Sequence, residues 1–237
     1  MEIPVYLAMT AAEFRSCSPL PTNTAWLSCT FSPYGQGLSN LPKQLPPNSL
    51  MILSDQSPIC GHDPDFIYHT LQKSLADLSC SGLLLDFERP VHPDGLQIAK
   101  VLTGLPCPVA VAAPYTEGLD CPVFLPPPPP SQRLEAHLAP WNGREIWLEI
   151  SSQAQTITIT ESGAAFQNCS APTFLPYTDK ELCCHYAVHQ QDNAAVFTLQ
   201  RTLADFTELF STSSQIRPTR TIGLYQEFPP IIRTISL

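Results

Sequence analysis

Asp86 and Glu88 stand one residue apart at the end of the apolar run Gly82–Asp86 (GLLLD), inside the segment SGLLLDFERP of residues 81–90. Side chains two apart on a strand leave the same face, so both carboxylates are expected to enter one pocket. Two carboxyl groups confined together do not ionise readily at the same time. One keeps its proton near neutral pH and is available as a general acid, which a departing glycosidic oxygen requires. The competing reading is a solvated strand end, with the acids ion-paired to the neighbouring Arg89. Glu149 in IWLEI, Glu227 in LYQEF and Asp55 after LMILS also close apolar runs. Each is either a further carboxylate for the same chemistry or a peripheral charge.

Sugar rings stack on aromatic side chains, and Tyr115 and Tyr225, just past strand ends, are expected to bind substrate together with Glu227. Tyr6, Trp26, Trp141 and Trp147 read mainly as core. Cys183, Cys184, His185 and His189 lie close together, but they hold no C-x-x-C pair. A strand there would send Cys183 and Cys184 to opposite sides, so no metal site is expected. None of the ten glycines falls in a phosphate-cradling loop, which argues against a nucleotide. No cofactor is expected.

The elements that must position Asp86 and Glu88 are short continuous apolar runs: Val5–Met9, Ala25–Phe31, Leu50–Leu53, Gly82–Asp86, Pro108–Ala113, Pro122–Leu125, Ile146–Ile150 and Thr221–Tyr225. Continuous rather than alternating apolarity marks strands covered on both faces, as in parallel sheets. Amphipathic helices are expected over Asp63–Leu78, with an aspartate cap and Pro64 at the first position, over Pro93–Leu105 and over Thr198–Phe210. Eight such runs alternating with helices predict an α/β fold, a (β/α)8 TIM-like barrel in one domain over 1–237. It is expected to be irregular near its start, where the first two connections are weakly helical. Gln155–Phe166 with a glycine turn, and residues 184–198 around Gln191, Asp192 and Asn193, predict one or two β-hairpin insertions. Pro126–Pro130 is a polyproline rod, expected as a stiff loop over the barrel mouth rather than a recognition motif.

Composition excludes several classes of partner. The chain carries 12 basic and 21 acidic residues, a net charge of −9, with no Lys/Arg cluster, so a nucleic-acid backbone has nothing to bind. No apolar run is long enough to span a membrane. The first residues lack the basic start of a signal peptide, and nine irregularly spaced cysteines read as reduced thiols. The expected compartment is the cytoplasm.

The segment SGLLLDFE resembles the fourth-strand signature DGxDxDxE of the family-18 glycoside hydrolases, the chitinases and their relatives. Gly82, Asp86 and Glu88 match, whereas Ser81 and Leu84 replace two aspartates. Residues 185–206 and Ile222–Tyr225 resemble the family's last hairpin, helix and final strand, and Gln155–Gly163 resembles a β-turn-β stretch of its spore-associated branch. The resemblance implies that Glu88 protonates the leaving oxygen. It implies that Asp86 orients an N-acetyl group, which attacks the anomeric carbon from within the substrate. Leu84 removes the carboxylate that would share a proton with Asp86, and PVFLPPPPP lacks the tyrosine of the sixth-strand motif. The implied partner is an N-acetylated glycan. The alternative is a catalytically inactive barrel that binds carbohydrate or a protein partner.

Overall fold

The computed structural model describes residues 3–169, 174–191, 194–212 and 217–228. In chain order, strand β1 (Val5–Met9) leads through helix α1 (Ala11–Ser16) to β2 (Thr24–Phe31), the short β3 (Leu38–Ser39) and β4 (Leu50–Ser54). Helix α2 (Pro64–Asp77), β5 (Gly82–Asp86), α3 (Pro93–Leu102), β6 (Val109–Ala112) and β7 (Val123–Leu125) follow. Then come α4 (Leu134–Leu138), β8 (Ile146–Ile150), β9 (Ala154–Thr160), β10 (Gly163–Cys169), β11 (Tyr177–Asp179), β12 (Cys184–Gln191), β13 (Ala194–Gln200), α5 (Leu203–Thr212) and β14 (Arg220–Leu224).

All eight apolar runs become barrel strands. The parallel order β1-β14-β8-β7-β6-β5-β4-β2 is closed by a parallel β1–β2 pairing, a closed (β/α) barrel. Parallel strands are covered on both faces, and the side chains sort accordingly. Tyr6, Ala8, Ala25, Leu50, Ile52, Leu84, Ala110, Phe124, Trp147 and Ile222 form one buried cluster with a contribution from every strand, the barrel interior. Met51, Leu53, Leu83, Leu85, Val109 and Val111 point the other way, against Ile67, Leu71 and Leu75 of α2 and Ile98, Ala99 and Leu102 of α3. Helices α2 and α3 start as expected. Asp63 accepts the Asp65 amide ahead of Pro64, and His92 accepts the Asp94 amide ahead of Pro93. The early irregularity is also present: α1 has six residues, and β3 rather than a helix stands between β2 and β4.

The barrel floor is built around one missing side chain. The Arg220 guanidinium lies 4.5 Å above the Trp147 ring and 5.8 Å from that of Tyr6, and it donates to the Ser81 carbonyl at 3.4 Å. A Cβ on Gly82 would stand 2.9 Å from the Trp147 ring and 3.0 Å from the Pro108 carbonyl oxygen. Gly82→Ala is therefore expected to cost about 1–3 kcal/mol by overpacking. The cost reads as a lower urea midpoint at an unchanged slope; an unchanged midpoint would mean that the floor yields freely.

The described chain divides into two compact units. One is the barrel (1–125, 143–149 and 218 onward); the other comprises 126–142 and 150–217. The second is larger than one or two separate hairpins. Both expected hairpins form, β9–β10 and β12–β13, and β13 pairs with β9 so that, with β11, they make one five-stranded antiparallel sheet, β10-β9-β13-β12-β11. Asp192 and Asn193, expected in the second turn, lie outside the described residues. The helix expected from Thr198 begins later, at Leu203, because Thr198 and Leu199 are paired in β13. Arg201 is wholly buried in this unit and donates to the carbonyls of Pro128, Pro129, Gln132 and Leu182. The proline rod is thus pinned within its own unit. Among the described residues, no helix is long and apolar enough to cross a membrane.

Candidate active site

Five acidic residues follow the carboxyl ends of four barrel strands: Asp55 after β4, Asp86 and Glu88 at β5, Glu149 on β8 and Glu227 after β14. This is the end at which barrels carry their chemistry. Strand alternation aims two of them inward. Asp86 follows Leu84 by two residues and Glu149 follows Trp147 by two, and both of those side chains belong to the interior cluster. Ser54, two past the interior Ile52, shares this level, with its backbone in register with Asp86. Among the described residues its buried hydroxyl has no hydrogen-bond partner.

The inward carboxyls hold their protons unusually tightly. Burial, reinforced by the charges of Glu88 and Asp55, pushes Asp86 up from 3.8 to about 7. Burial, then Asp86, Glu227 and Glu88, pushes Glu149 up from 4.5 to about 8. The two carboxyls titrate as a coupled pair, and each favours the protonated form of the other.

Asp55 has a different task. It is 2 % exposed, and its two oxygens accept the backbone amides of Glu88 at 3.0 Å and Arg89 at 2.9 Å. It therefore fixes the turn that presents Glu88, which is itself exposed. The Arg89 guanidinium donates to the Gln56 carbonyl. Among the described residues no ion pair joins it to Asp86 or Glu88.

Tyr115, expected to face a ligand, is fully buried. Its ring meets Phe87 edge to face at 5.2 Å, and its hydroxyl donates to the Pro90 carbonyl at 3.2 Å. The ring lies where a Cβ on Gly95 would come within 2.7 Å of it. Phe87 alternates outward between Asp86 and Glu88, and Tyr115 packs on that outward side; it braces the β5 loop from behind. Tyr225 and Glu227 lie in a 3-10 turn directly after β14. Tyr225 is partly exposed, and its hydroxyl is drawn above its ordinary range by a hydrogen bond with Cys17, with burial and Glu13 adding to the shift.

Sequence reasoning gave Glu149 and Asp55 no more weight than other strand-end acids and missed Ser54. The available signal was parity: Glu149 is two residues from a tryptophan and Ser54 two from an isoleucine. Which parity faces inward was decided only by closure of the barrel. At Cys183, Cys184, His185 and His189, both cysteines are buried and His185 meets Asp205 at 3.4 Å.

No protein-family profile and no curated protein sequence matches this chain. Solved structures do. The crystal structure of the spore cortex-lytic enzyme SleL from Bacillus cereus superimposes with a TM-score of 0.56 at 9% identity, covering 99% of this chain and 74% of that one. SleL from Bacillus megaterium QM B1551 does so with a TM-score of 0.57 at 10% identity, covering 99% and 73%. At such identities the likeness is one of fold, and this chain shares a TIM-like barrel with these two cortex-lytic enzymes.

Proposed function

We propose that this protein is a glycoside hydrolase that acts on an N-acetylated glycan of a cell or spore wall, with the reaction centred on the carboxyl ends of β5 and β8. The observation that carries the reading is the inward pair Asp86 and Glu149, half-buried, tightly protonated and flanked by Glu88 and by the Ser54 hydroxyl, unpartnered among the described residues. Their place at the catalytic end of a barrel shared with two cortex-lytic enzymes supports it.

In this reading Glu88 protonates the leaving oxygen. Its carboxyl is exposed in the free protein, where a bound sugar can reach it. Asp86 accepts the acetamide N–H and orients its oxygen toward the anomeric carbon, a substrate-assisted route. In the family-18 motif the proton-sharing neighbour of Asp86 would sit at position 84, which is Leu84 here. Glu149 supplies that neighbour from β8 instead. The test is hydrolysis of a chromogenic N-acetylglucosamine oligomer by wild type and Glu88→Gln, with glycan binding measured alongside. Turnover that Glu88→Gln abolishes while binding survives is the expected outcome. Binding without turnover in either protein would identify a catalytically silent carbohydrate-binding barrel, and neither binding nor turnover would sink the glycan reading.

One observation favours a second assignment of the acid. Glu149 is the carboxyl held protonated to the highest pH, about 8, as a general acid at neutral pH must be. If Glu149→Gln abolishes turnover and Glu88→Gln does not, the proton comes from β8.

A further inference from the structure

Outside the acidic cluster, the structure brings together three metal-binding side chains that the sequence separates. Cys60 lies in the loop between β4 and α2, His92 caps the start of α3, and Asp94 is in the first turn of that helix. One ligand atom from each lies within 4.8 Å of the other two. The Cys60 Sγ stands 3.4 Å from His92 Nε2, and His92 Nδ1 stands 4.0 Å from Asp94 Oδ2. A tetrahedral zinc ion with bonds of about 2.3 Å to sulfur and about 2.0 Å to nitrogen holds those two atoms about 3.5 Å apart. The sulfur and nitrogen already have that spacing.

The surroundings suit an ion with one open position. The Gly61 amide donates to Asp94 Oδ2 at 3.1 Å, which orients the carboxylate. Cys60 and Gly61 border a hollow of about 210 Å³. His62, 8 % exposed, borders it too, and among the described residues its Nδ1 has no hydrogen-bond partner. We infer that Cys60, His92 and Asp94 form a binding site for one divalent ion of the zinc type, completed by water, which ties the β4–α2 loop to the start of α3. A thiolate and an imidazole select zinc or cobalt over magnesium and calcium, which prefer all-oxygen shells. The proton balance follows from the hydrogen bonds. His92 Nδ1 accepts the Asp94 amide at 3.2 Å, so the ring proton is on Nε2, facing the sulfur. On binding, Nε2 gives up its proton and takes the metal, Nδ1 gains one and releases the Asp94 amide that it accepted in the free protein, and the thiol loses its proton to solvent, one per ion.

The clamp would join the two loops that hold Asp55 and Glu88, but the inference does not depend on the proposed hydrolysis, and its test needs no glycan. The full-length, reduced, metal-free chain is titrated with zinc chloride against a chromogenic chelator, and separately with cobalt chloride. Wild type is expected to take up one equivalent, to melt at a higher temperature when loaded, and to show a sulfur-to-cobalt charge-transfer band of one-thiolate strength. Cys60→Ser and Asp94→Asn are expected to weaken uptake by at least about tenfold, since even outer-shell partners cost that much. Cys60 is exposed, so its loss leaves the core intact, and far-UV circular dichroism checks this. No uptake by wild type, or uptake that Cys60→Ser does not weaken, overturns the site. The second outcome would place the ion on other thiols.

Discussion

Exchanging Glu149 for glutamine is expected to make the protein more stable above neutral pH, by on the order of 2–4 kcal/mol at 1.36 kcal/mol per pKa unit. Folding raises this carboxyl from 4.5 to about 8, chiefly by burial and then by the charges of Asp86, Glu227 and Glu88. Below about pH 4.5 the folded and unfolded chains both hold the proton, and glutamine gains nothing. As the pH climbs from there, the unfolded chain releases its proton while the folded chain retains it until about 8. The wild-type protein therefore loses stability across that window. The variant has no proton to release and escapes the loss. Asp86 adds a second loss of the same sign, completed near 7, and this one persists in the variant. Urea unfolding of both proteins at a series of pH values measures the difference. Parallel pH profiles would show that Glu149 is not desolvated, and the inward carboxyl pair would fail with it. Because stability and activity would move in opposite directions, the variant also separates a functional strain from a structural role. A residue kept at a cost to the fold belongs to the site.

Truncating Arg201 to alanine is expected to cost about 3–5 kcal/mol, the penalty for leaving buried polar partners stranded. The guanidinium is 0 % exposed. It serves the Pro128 and Pro129 carbonyls at 3.1 Å each, those of Gln132 and Leu182 besides, and lies 6.0 Å from the Phe206 ring. Proline has no amide hydrogen, so a proline run cannot join a sheet ladder, and its buried carbonyls need a donor from elsewhere. Arg201 is that donor. Arg201→Met fills much of the same volume without the donors, and the expectation is that it recovers little of the loss. If methionine restores the wild-type urea midpoint, packing rather than hydrogen bonding holds the rod.

The periodicity of the chain carried a large part of the architecture. Runs such as VYLAM and LMIL are apolar at every position, and GLLLD up to its closing aspartate, because a parallel strand is covered on both faces, and all eight became barrel strands. Asp63 with Pro64 announced α2 because an aspartate oxygen and a proline ring satisfy local needs at a helix start. The glycine at 163 announced the β9–β10 turn for the same kind of reason. Asp86 could be placed at a strand end because it follows three leucines. These features depend on neighbours in sequence, so a single chain reveals them.

Other decisions required the closed barrel. Tyr115 sits just past a strand, as a ligand-binding ring would, yet it packs behind the β5 loop against Phe87 and the bare backbone at Gly95. Glu149 reads like any strand-end acid until closure of the sheet turns it inward with Asp86. Cys60 and His92, 32 residues apart, meet only because α3 begins beside the β4–α2 loop, and Arg201 finds the proline rod from more than 70 residues away. Local pattern thus determined the strands, the helix starts and the acidic strand end. Tertiary structure decided which acids lose water, which aromatic is buried and which distant donors converge, because desolvation and long-range contact exist only once the chain has closed on itself.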